Sequence, residues 1–186
     1  FRLSSDSAAA QPTGAAINGE VEDYLIAVNT PLDFGDLPDP ADGSGVLDYN
    51  TRLYDGGANH PMIPGLQIGA AIDAEEEGQP NSLAAGDDIS PTVGTDDEDG
   101  VTFTEFNPGA QAAMTVTAIN TTGLAAILYA FVDFNNNGYL TDTGELLTVT
   151  VPGSTTVLTP FVLTYTVPTT ATTYTPLGAR FRLSTD

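Results

Sequence analysis

The chain has 186 residues, of which 25 are Asp or Glu and 4 are Lys or Arg, giving a formal charge of −21. At this length one domain or two small ones are expected, and 41% hydrophobic residues suffice for a buried core. The basic residues are Arg2, Arg52, Arg180 and Arg182, too few for a phosphate-binding face, no apolar run approaches the ~20 residues of a membrane span, and with no Cys there is no disulfide, thiolate site or cysteine nucleophile.

Residues 1–6 read FRLSSD and residues 181–186 read FRLSTD, differing only at Ser5 against Thr185. Such agreement marks a tandem repeat; the alternative is a pair of similar edge strands in one sheet. Two copies with one role require the same slot, and one sandwich offers one slot. Residues 1–29 are therefore expected to form a strand pair that completes a neighbouring repeat by covering its open sheet edge. Arg2, Arg180 and Arg182 fall on or beside the duplicated strand, and Glu20 and Glu22 begin the strand expected to return along it. A cross-strand ion pair there would stabilise by about 0.2–1 kcal/mol.

Residues 30–100 are a second division. Positions 33–99 hold 16 acids (12 Asp, 4 Glu) and one base, Arg52, among many Gly and Pro and without sustained periodicity. Asp73-x-Glu75-x-Glu77-Gly78 spaces three carboxylates at odd positions. Asp96-Asp97-Glu98-Asp99-Gly100, with Asp87 and Asp88, forms another acidic group. Neighbouring carboxylates repel unless a cation or solvent intervenes, so the segment is either a solvated linker or a stretch stapled by ions. Asp42 lies in a Gly-rich stretch without such spacing. His60, in GANHPM, has no nucleophile motif around it and is expected to be structural, in a turn before Pro61.

Residues 101–186 contain 21 Thr and the β-branched or aromatic runs VTFTEF, AAMTVTAIN, AILYAFVDF, ELLTVTVP, TVLTPFVLTYTVP and ARFRLS. Turn sequences such as Asn-Thr-Thr-Gly and Pro-Gly-Ser separate them, which predicts an antiparallel β-sandwich, immunoglobulin- or jelly-roll-like. No segment carries a helix pattern, so the predicted fold class is all-β.

Within that part, Asp133-x-Asn135-x-Asn137-Gly138-Tyr139 has the odd-position oxygens and central Gly of calcium loops, Tyr139 contributing its carbonyl. Glu145 or Asp142 would close the shell. The other reading is that Asn137-Gly138 simply makes a type I′ turn. Oxygen donors favour calcium over zinc. Paired carboxylates could hydrolyse glycosides, but among 25 acids some pair always falls near catalytic spacing, and no catalytic residue is assigned. Tyr24, Tyr49, Tyr54, Tyr129 and Phe34 could stack on sugars, although core packing is the commoner use.

The string NGEVEDYLIAV (18–28), preceded by FRLSSD, resembles the C-terminal signature of GEVED domains, β-sandwich modules of large secreted bacterial and archaeal surface proteins. LDFGDLPDP (32–40), GGANHPMIPGLQIGAAIDAEEEGQPN (56–81), GDD (86–88) and DDEDGVTF (96–103) resemble the acidic segment repeated beside that module. FVDFNNNGYLTDTGE (131–145) resembles the family's W-I-D-F-N-x-D-G hairpin, with Phe131 for Trp and Asn137 for Asp. The resemblance implies an extracellular, repetitive, cation-binding protein and no catalytic activity. The expectation is thus a repeat subunit of a calcium-stabilised filament, sheath or adhesin stalk, assembled head to tail from copies of itself. The rival expectation is a carbohydrate- or cell-surface-binding module of a secreted enzyme.

Overall fold

The structure, a computed structural model, describes residues 1–26, 30–86 and 98–186. Asp87, Asp88, Asp96 and Asp97 lie outside the described residues. The fold is all-β with antiparallel pairing throughout, and short 3-10 turns are the only helical elements described.

Strand β1 (Arg2–Leu3) pairs with β2 (Glu20–Val21), Arg2 opposite Val21 and Leu3 opposite Glu20. Strand β3 (Leu32–Phe34) pairs with β4 (Asn59–Pro61). His60 therefore stands on a strand, opposite Asp33, rather than in the turn its sequence context predicted. Strand β5 (Leu66–Ile68) joins β6 (Val101–Phe103), β7 (Gln111–Asn120) and β10 (Thr155–Thr166) in a sheet with order β10-β7-β5, β6 also pairing with β7. The acid-rich part of the chain thus donates a strand to the Thr-rich part. A further sheet has β8 (Ala126–Val132) between β9 (Leu146–Val151) and β11 (Ala179–Ser184).

The core follows from period-two burial. Ala112, Met114, Val116 and Ala118 point inward on β7, and Ala126, Leu128, Ala130 and Val132 do so on β8. With Val151, Leu163, Tyr165 and Leu183 they form one cluster drawn from both larger sheets. Each fully buried Leu, Val or Met contributes roughly 1.5–3 kcal/mol. In the second half of β10, Thr164 and Thr166 alternate to the exposed face between buried Leu163 and Tyr165. Pro160 is tolerated in β10 because that strand lies at the sheet edge, where a missing N–H breaks no ladder.

Polar groups lock the connections. Asn120, fully buried, donates to the Leu124 and Val151 carbonyls and accepts from Thr122. The Tyr165 hydroxyl bonds the Ala130 and Glu145 carbonyls inside the core. Among the described residues, no helix is long and apolar enough to cross a membrane.

Residues 1–26 differ from the rest. Among the described residues β1 pairs with β2 alone, and Phe1 and Leu3 are 80% and 76% exposed. Val21, Leu25 and Ile26 are exposed as well. Arg2 donates to the carbonyls of Gln11, Thr13 and Gly14 and thereby braces the intervening loop; it makes no ion pair with the expected Glu20 or Glu22. The second FRLS copy lies in β11 against β8, from Ala179 opposite Val132 to Ser184 opposite Ile127.

Candidate metal centre in the 133–145 loop

The loop between β8 and β9 is organised around Asp133, which is fully buried. Its Oδ1 accepts the Asn137 N–H at 3.1 Å, and its Oδ2 accepts the Gly138 N–H at 2.8 Å and the Tyr49 O–H at 3.1 Å. The turn these bonds close requires left-handed backbone at Asn136 (φ 56°) and Gly138 (φ 83°). A Cβ on Gly138 would lie 2.3 Å from the Gly45 carbonyl oxygen, so glycine also permits the 45–48 turn to seat on the loop.

Glu145 closes the other side. It is buried, its Oε1 accepts the Phe134 N–H at 3.0 Å, and its Oε2 has no hydrogen-bond partner. Burial raises its pKa first and the charge of Asp133 next; backbone N–H groups of Asn135 and Phe134 oppose them, and Asp142 adds a smaller upward push. Asp142 Oδ2 accepts the side-chain amides of Asn135 and Asn137, both at 2.8 Å, which hold its carboxyl below the ordinary range. Asn137 Oδ1 takes the Tyr139 N–H at 2.9 Å. The structure therefore links Asp133, Asn135, Asn137, Asp142 and Glu145 in one loop and leaves one buried carboxylate oxygen unpartnered.

That set fits a hard cation in kind: every donor is oxygen, and Glu145 Oε2 has no hydrogen-bond partner beside two further acids. Opposing it, both Asp133 oxygens already accept N–H or O–H donors. Among the described residues, no group of three or more His, Cys, Asp or Glu stands together as a metal site.

The 73–77 carboxylates separate. Glu75 hydrogen-bonds Asp73 and takes the Phe34 N–H at 2.9 Å; its pKa is pushed up to about 9, by burial first and then by Asp73. One proton shared between two acids relieves their repulsion without a metal. Glu77 instead accepts the Leu53 N–H at the start of a 3-10 turn. Asp99 caps the Ala70 N–H with both oxygens.

Two features were missed in the sequence. Tyr49 is buried, as core packing rather than sugar stacking requires, and its unforeseen role is to bridge Asp133 to the Gly178 N–H at 3.0 Å. Asp39 is buried, accepts the Thr51 and Arg52 N–H groups through Oδ2, and leaves Oδ1 without a partner. With Asp42 and Asp48 it helps to raise the pKa of Asp55, whose first cause is burial. No local spacing marks either residue, because their partners lie far along the chain. Phe34 is likewise core, while Tyr24 and Tyr54 are exposed and Tyr129 stacks on Phe131 at 6.4 Å. His60 accepts from Arg182 Nε at 2.9 Å, and burial, then the Arg182 charge, depress its pKa.

No family model matches the chain, and neither a curated protein nor a solved structure does so.

Proposed function

We propose that the chain is a structural repeat of an extracellular surface protein, with its two larger sheets packed as a sandwich and its copies joined head to tail. The observation that carries this reading is the duplication: Phe-Arg-Leu-Ser pairs with β8 in its second copy, while its first copy, with β2, leaves its apolar side chains outside any core. An unsupported two-stranded pair is marginal in water, and a neighbouring repeat supplies the missing cover. Residues 30–86 then act as a brace, tied to the sheets through β5, Tyr49, Thr51 and His60.

Calcium belongs to this reading as a stabiliser. Asp133, Asn135, Asn137, Asp142 and Glu145, with the Tyr139 carbonyl, would hold it, and a bound divalent charge would offset the repulsion among the loop acids. The chain's own residues already orient the donors: Asp133 fixes the turn, and Asp142 gathers both amides. Residues Asp73, Glu75, Glu77 and Asp99 are not needed as ligands, since backbone N–H groups or a shared proton satisfy them.

Negative-stain electron microscopy in calcium, and after chelation, tests the proposal. Linear assemblies in calcium that shorten in chelator are expected. Dispersed particles in both conditions, with a defined sugar ligand on a glycan array, would favour the binding-module alternative.

A further inference from the structure

We infer that the open edge of β11 accepts the β2 strand of a second copy, in the register that β2 already holds against β1. This deepens the repeat reading above and rests on it. β11 pairs with β8 along one side, and among the described residues no strand pairs with its other edge. Beside β11 runs a cavity of about 390 Å3 walled by Phe34, Met62, Ile68, Phe103, Phe181 and Leu183, with Asp33, His60, Glu98, Arg180, Arg182 and Asp186 also in its lining. A mainly apolar groove next to an unpaired edge is the geometry that strand addition completes, since the incoming strand satisfies the edge N–H and C=O groups and covers the groove together.

The occupant is specified by the repeat. The Phe-Arg-Leu-Ser that contains β1 recurs in β11, so a strand that fits one fits the other in sequence. In the β1–β2 pair, the main chains of Phe1 and Glu22 exchange hydrogen bonds, with Arg2 opposite Val21 and Leu3 opposite Glu20. Replacing β1 by β11 sets Phe181 opposite Glu22, Arg182 opposite Val21 and Leu183 opposite Glu20. Continuing one pair further sets Arg180 opposite Asp23. Arg180 is largely withdrawn from solvent, and its Nε has no hydrogen-bond partner. A carboxylate delivered opposite this guanidinium supplies the missing acceptor. Tyr24, Leu25 and Ile26, exposed beyond β2, extend the incoming strand along the groove. β2 exchanges a two-residue partner for a six-residue one that contains the same Arg-Leu. Donor and acceptor are different surfaces, so the contact is head to tail and propagates.

The cysteine-free chain permits a clean test. Arg2 and Val21 form a non-hydrogen-bonded pair, where Cα atoms approach to about 4.5 Å, within the range a disulfide spans. One chain carrying Val21→Cys is mixed with another carrying Arg182→Cys and oxidised. A cross-linked heterodimer is expected, whereas Val21→Cys with Phe181→Cys, whose side chains leave opposite faces, should give several-fold less. No cross-link in the first mixture, or equal yields in both, overturns the inference. If circular dichroism finds Arg182→Cys unfolded, a labelled peptide of residues 17–26 is titrated into the unsubstituted chain; saturable binding supports the inference and none overturns it. Linear assemblies without the cross-link sink this strand exchange alone, whereas the cross-link without linear assemblies upholds it and sinks the fibre reading.

Discussion

The Tyr49 hydroxyl donates to Asp133 Oδ2 at 3.1 Å while accepting the Gly178 N–H at 3.0 Å. One buried phenol thereby fastens the 36–55 stretch to the 133–145 loop and to the residue that leads into β11. The low-dielectric site raises the Tyr49 pKa, by burial first and by the Asp133 charge next, so the phenol stays protonated and remains a donor at neutral pH.

Tyr49→Phe should therefore destabilise without disturbing packing. It leaves the buried Gly178 N–H unpartnered, a cost of about 1–3 kcal/mol, or a drop of ~2–4 °C in Tm per kcal/mol at this chain length. Urea unfolding with an unchanged m value checks it. Gly178→Ala should also destabilise, because the new Cβ would lie 2.3 Å from the Tyr49 ring.

Asp133→Asn should damage the protein far more than Asp42→Ala. Asp133 accepts two backbone N–H groups and a hydroxyl while fully buried, and losing such acceptors costs about 1–3 kcal/mol each. Asp42 is exposed, and its charge helps to raise the pKa of Asp55, so its removal should fall within about ±0.5 kcal/mol. Thermal melts rank the two variants. Isothermal calcium titration of Asp133→Asn adds a second readout: unchanged binding would take this loop off the list of cation sites.

The Glu75–Asp73 pair predicts a pH dependence of definite sign. Burial and Asp73 lift the folded pKa of Glu75 from 4.5 to about 9, so the folded state keeps a proton that the unfolded chain releases. The stability from this pair is complete below pH 4.5 and declines as pH rises toward about 9. Glu75→Gln, which keeps the hydrogen-bonding shape without the charge, should flatten that decline and raise Tm at pH 8. Tm profiles from pH 5 to 9 in chelator provide the check; parallel curves for the two proteins would contradict the shared proton.

The strands of residues 101–186 were legible because their signal is local. Met114, Val116 and Ala118 alternate with Thr, and each run ends at a Gly, Pro or Asn turn, so period and punctuation agree. The gathering of Asp133, Asn135, Asn137, Asp142 and Glu145 in one loop was legible for the same reason, since they sit at fixed spacing. Residues 30–86 were not legible at this level. Their strands are three residues long, and their order rests on single acids bonded to distant backbone: Asp39 to Thr51, Glu75 to Phe34, Glu77 to Leu53, Asp99 to Ala70. These four acids accept backbone N–H groups, and that role has no sequence period. The duplicated FRLS pointed to a strand needing a slot, yet only the pairing assigns β11 to β8 and leaves β1 with β2.

Sedimentation velocity over a concentration series, in calcium, tests the head-to-tail account most directly. The account predicts an open ladder of species, multiples of the 19.3 kDa chain, that lengthens with concentration and retreats in chelator. A single 19.3 kDa species at every concentration, or a closed dimer that grows no further, would contradict it.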